Sequence, residues 1–153
     1  MSIFVNQDEL FKITIYYKDF FNDDGELLYT DVSAEKIEDW QELNAYFCQP
    51  SVGVFSYILE EATVLNGLNQ KPVIRTRALR DLVLVHLMKK WDAKMKINDV
   101  EMDAPINDEM ISKLDIKIAN ELFIKYIMSV KLDVLLQAVI KNESENDNIL
   151  RGL

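Results

Sequence analysis

The chain has one cysteine, one histidine, four glycines and three prolines among its 153 residues. Each shortage removes a class of protein. A single thiol, Cys48, cannot close an internal disulfide, so nothing marks an oxidising compartment. One histidine, His86, and one cysteine cannot supply the three or four nitrogen and sulfur ligands that zinc sites use. None of the glycines stands in GxGxxG order or in a phosphate-binding GxxxxGK loop, so no nucleotide cradle is visible. No run approaches the roughly 18 apolar residues of a membrane span. The first residues hold no basic stretch followed by an apolar core, so no secretory leader is read and a cytoplasmic chain is expected. Basic residues are also scarce, 17 against 26 acidic, for a net charge of −9. Such a surface repels phosphate and anionic headgroups, which argues against nucleic acid or membrane as a partner.

What is present is an ordinary globular balance. Hydrophobic residues make up 49% and charged residues 28%, enough apolar material for a full core in one domain of this length. That domain is expected over residues 1–141, with 142–153 (NESENDNILRGL) as a polar, flexible tail. LFKITIYY at Leu10–Tyr17, the turn signal Asn22-Asp23-Asp24-Gly25 and ELLYTDV at Glu26–Val32 read as a β-hairpin. Ser33 then reads as the N-cap of a helix to Phe47, with Ile37, Trp40, Leu43 and Phe47 as its stripe. Pro50 ends it. Ser51 caps a second helix through Val54, Phe55, Ile58, Leu59, Ala62 and Leu65, stopped by Gly67. Thr76 caps a third, with Leu79, Leu82, Val83, His86, Leu87 and Trp91 at helical spacing. Residues 93–106 read as a polar loop with room for a β-excursion at Lys96–Val100. Asn107 caps a long helical region that can break near Asp115 or near Ser129. The expected fold class is therefore α+β, mostly α: an N-terminal hairpin followed by four to five packed helices.

The catalytic inventory is thin. His86 lies on an apolar stripe and reads as a packed histidine, and Cys48 reads as a small hydrophobe. Asp23-Asp24-Gly25-Glu26 lacks the spacing of a calcium loop and is explained by the hairpin turn. Asp99, Glu101 and Asp103 alternate and read as a solvated acidic loop. Glu60 and Glu61 are adjacent, so on a helix they diverge by about 100° instead of facing one another. No metal, no cofactor and no enzymatic activity are expected. Lys71, Arg75, Arg77 and Arg80 form the one local inversion of charge, open to an acidic partner or to another copy of the chain.

The surplus is apolar and aromatic. Tyr16, Tyr17, Phe20 and Phe21 crowd the first strand. Phe123, Tyr126 and Met128 lie beside Leu122 and Ile127 on the C-terminal helix, and Ile124 and Leu132 widen that stripe. A helix apolar on more than one side is either deeply buried or shared with a partner.

From Leu79 onward an arginine-bearing helix ends in Lys89-Lys90-Trp91-Asp92. A polar loop follows, and INDEMISKL at Ile106–Leu114 opens the next helix. This arrangement, over about Trp40–Val130, resembles the tail assembly chaperones of tailed bacteriophages and some small phage structural proteins. The resemblance implies a helical, acidic, non-enzymatic protein of the host cytoplasm. Such a protein covers the apolar helices of the tape-measure protein and recruits tail-tube subunits, with homo-oligomers open. Candidate protein-binding positions are Phe55, Leu59, Arg77, Arg80, Leu87, Trp91, Phe123, Tyr126 and Ile127. Two alternatives stand beside it: a structural virion subunit of baseplate or connector, and an acidic inhibitor of a basic nucleic-acid enzyme. The carboxylates are interspersed with lysines, which weakens the inhibitor reading.

Overall fold

A computed structural model describes residues 3–67 and 71–137. The expected C-terminal tail lies outside the described residues. The N-terminal hairpin is present. Strand β1 (Leu10–Phe21) pairs antiparallel with β2 (Leu27–Ser33). At the turn between them the Asn22 side chain accepts from the backbone N–H of Asp24 and Glu26, and Gly25 takes φ 80°, a left-handed conformation that costs glycine little.

The expected helix from Ser33 to Phe47 is a strand instead, β3 (Gln41–Cys48). Leu43, Ala45 and Phe47 alternate and are all buried. That period of two competes with the helical stripe in the same residues, and a place in the middle of a sheet decides the contest. Ser33 bonds locally to the backbone of Glu35, and Asp39 adopts φ 70° just before the strand. Ile37 is left exposed and Trp40 half-buried, both outside the core.

Helix α1 (Val52–Ala62) is capped by Ser51 as expected, but stops at Ala62. The β-branched Thr63 and Val64 begin β4 (Thr63–Asn66), which folds back on β5 (Lys71–Ile74). Helix α2 (Thr76–Leu87) follows. Its N-cap is Arg75, one residue before the expected Thr76, with no side-chain bond. Trp91 does not continue this helix; it closes β6 (Met88–Trp91), the strand beside β3. The expected polar loop holds β7 (Lys94–Ile97) and β8 (Val100–Asp103). Asn98 and Asp99 both take positive φ at their junction, as tight two-residue hairpin loops require. Asn107 caps α3 (Asp108–Ser112) and Asp115 caps α4 (Ile116–Ser129). Lys131 then turns left-handed before α5, helical over described residues 133–137. Both anticipated breaks therefore occur.

Among the described residues the fold is α+β but not mostly α: about 36% helix and 35% strand, with eight strands in three sheets and five helices. The principal sheet has the order β2-β1-β3-β6, antiparallel throughout. One face carries Ile13, Ile15, Leu43, Ala45 and Phe47 into a core completed by Leu79, Val83, Leu87, Leu122 and Tyr126 from α2 and α4. Tyr126 is central. Its ring stacks on Phe47 at 4.8 Å and on Phe11 at 5.9 Å, and its hydroxyl donates to the Cys48 carbonyl at 3.0 Å. Lys125, one residue earlier, spends its ammonium on the carbonyls of Thr14 and Ala34, clamping α4 to the sheet.

Burial pushes the Tyr126 phenol well above its ordinary value, so the native state favours the neutral form. Stability from this group is intact below the unfolded value of about 10 and is lost as pH rises beyond it. Melting temperature should fall between about pH 9.5 and 11. Tyr126→Phe should flatten that fall; an unchanged slope in the variant would show that other groups govern alkaline unfolding.

Candidate protein-binding surface

The structure spreads the nine candidate positions from the core to the surface. Leu87, Trp91, Tyr126 and Ile127 are buried. Trp91 further donates its indole N–H to the Ala104 carbonyl at 2.7 Å. These four build the core. Phe55, Leu59 and Phe123 are half-buried and pack against it. Arg77 is exposed. Arg80 is tied to Asp81 at 2.9 Å and to Asn120 at 2.7 Å, so it joins α2 to α4.

The residues with potential for chemistry are placed as follows. Half-buried His86 meets the Tyr57 ring edge-on at 5.3 Å. Cys48 is buried, and that burial pushes its thiol up, away from the reactive thiolate. Among the described residues no three His, Cys, Asp or Glu come together in a way that could hold a metal ion. Asp103 pairs with Lys94, Glu101 stands opposite Lys96, and Asp99 sits in the turn. Of the basic cluster, Arg75 is exposed beside the β4–β5 ribbon.

Among the described residues, three surfaces expose apolar side chains in an organised way. The β7–β8 ribbon has a charged face, with Lys94 opposite Asp103 and Lys96 opposite Glu101. Its other face sets Met95 against Met102 and Ile97 against Val100. The second surface is the end of the β1–β2 hairpin, where exposed Phe21 stands opposite exposed Leu27, next to exposed Leu28. The third is α4. Its inner side places Ile118, Leu122 and Tyr126 in the core, while its outer side presents Ile116, Ile124 and Met128, at 55%, 52% and 57% exposure. They belong to a series at i, i+8 and i+12, one ridge on a helix, with Asn120 between them. The outer face of the main sheet carries polar bonds near its middle: Thr14 donates to Asn44 at 2.6 Å, and Asn44 to Asp92 at 2.8 Å.

The α4 ridge is the best-formed of these surfaces. In the sequence, Ile124 and Met128 fall on the widened apolar stripe but outside the nine candidate positions, and Ile116 falls outside both. The spacing of 116, 124 and 128 was the signal. Among the described residues no helix is long and apolar enough to cross a membrane. No protein-family model matches the chain, and neither a curated protein nor a solved structure matches it.

Proposed function

We propose that this protein is a non-enzymatic binding factor of phage tail morphogenesis, a chaperone that covers apolar helices of a tape-measure or tail-tube protein in the host cytoplasm. The observation that carries this reading is that α4 is apolar on two sides and buries only one. Ile118, Leu122 and Tyr126 complete the core, whereas Ile124 and Met128 are left to solvent. A long helical client exposes apolar surface before the tail tube encloses it, and such surface aggregates unless covered. A helix ridge can accept it side by side. The negative net charge keeps the covered complex dispersed. Co-expression tests the reading: a tape-measure or tail-tube protein that is insoluble alone should become soluble and co-purify. If none of the candidate clients gains solubility, the reading fails.

One observation favours a second reading, a structural virion subunit. β2 is an edge strand of the main sheet and exposes Leu27 and Tyr29, so a neighbouring chain could add a strand there. Mass spectrometry of mature particles separates the two, because a chaperone is absent and a subunit present at fixed stoichiometry.

A further inference from the structure

We infer that Lys117 seals the free edge of the main sheet, and that a second copy of the chain is what the seal keeps out. This goes beyond the chaperone reading and bears on the second one, since a chain that adds a strand at β2 must first displace Lys117. In the order β2-β1-β3-β6, β2 has no neighbouring strand on its outer side. Such an edge offers a row of N–H and C=O groups to any other extended chain. The hazard is sharpened because Leu27, Leu28 and Tyr29 are consecutive and exposed.

The edge is closed by side chains. Residues of an antiparallel strand alternate between bonding their neighbour and facing away. Thr30 and Val32 are two apart and so face the same way. The Lys117 ammonium donates to the Thr30 carbonyl at 3.1 Å, and the Val32 N–H donates to the Asp31 carboxylate at 2.9 Å. Lys117 also lies 5.2 Å from the centre of the Tyr29 ring, so its ammonium meets β2 at two points. Toward the turn, Phe20 pairs with Tyr29 and Phe21 with Leu27, which leaves Leu28 bulged without a partner. A bulge breaks the even spacing that an added strand needs. Past the other end of β2, where β1 pairs with β3 alone, the Lys125 ammonium donates to the carbonyls of Thr14 and Ala34. Two lysines of α4 thus close carbonyls where the sheet runs out. The occupant they exclude is a second copy. Two β2 strands are able to meet antiparallel about a two-fold axis, the commonest symmetry of self-association. The one charge within Leu27–Ser33, on Asp31, is turned onto its own strand and does not guard the edge.

The test compares the full chain with Lys117→Ala, which removes the ammonium without adding apolar surface, and with Lys117→Arg, which keeps a donor. Lys117 is exposed, so both variants should fold. Sedimentation equilibrium reads association, and amide exchange over residues 28–32 reads its place. Lys117→Ala should self-associate at least about tenfold more tightly than the unaltered chain, with the Thr30 amide gaining protection. Lys117→Arg should behave as the unaltered chain does. Adding Leu28→Lys to Lys117→Ala sets like charges on the joined edges and should reverse the gain. The inference is overturned if Lys117→Ala associates no more than the unaltered chain, or if the unaltered chain already pairs through β2. It is equally overturned if Leu28→Lys leaves the new association intact, or if Lys117→Arg associates as Lys117→Ala does. None of these outcomes touches the chaperone reading, which stands or falls on client solubility.

Discussion

Tyr126→Ala will cost the native state about 3–5 kcal/mol, as large-to-small changes of buried aromatics do. The side chain is fully buried, so its removal leaves a void between Phe47 and Phe11 that a stacked pair cannot fill without moving β1 or β3. It also strips the Cys48 carbonyl of its donor, worth about 1 kcal/mol. Against a typical total of about 5–15 kcal/mol, the variant should lose a large share of its stability. Tyr126→Phe keeps the stack and should lose only the hydrogen-bond share, about 1 kcal/mol. Urea unfolding of both variants separates packing from bonding. Near-equal losses would mean that the hydroxyl, and not the ring, is the main anchor.

The second large effect is on binding. Replacing Ile124 and Met128 together by glutamine removes the apolar ridge without adding charge and keeps residues that favour a helix. Both sites are exposed, so stability should stay within about 0.5 kcal/mol per site. Client binding should weaken by about 2–4 kcal/mol, which is about 30- to 1000-fold. Solubilisation of the client in co-expression should disappear with it. A variant that still solubilises its client would move the binding surface off α4, with the β7–β8 ribbon next to be tested through Ile97 and Val100.

The local punctuation of the fold was legible in the sequence. The Asn22–Gly25 turn, the Ser51 and Asn107 caps and the break at Asp115 all rest on short-range hydrogen bonds, which neighbouring residues determine by themselves. Elements fixed by distant partners were not legible. Residues 41–48 fit a helix stripe and a strand equally well, and pairing with β1 on one side and with Met88–Trp91 on the other makes them a strand. Trp91 sits at helical spacing from Leu87, yet it is held by a carbonyl 13 residues further on. The candidate site shows the same division. Periodicity identified α4 as apolar on two sides but could not say which side the core would take. Tyr126 and Ile127, candidate binding residues by sequence, belong to the core, while Ile124 and Met128 stay outside it.

The bond from Tyr126 to Cys48 spans 78 residues, and this separation has a consequence for synthesis. The three strands β2-β1-β3, with β1 in the middle, are complete in the chain long before α4 exists. At about 5–20 residues per second, Tyr126 is made roughly 4–16 s after Cys48. Through that interval the inner faces of Phe47, Ile15 and Leu43 lack their lid. A protein read here as covering the apolar helices of another chain thus goes through a phase on the ribosome in which its own sheet is uncovered.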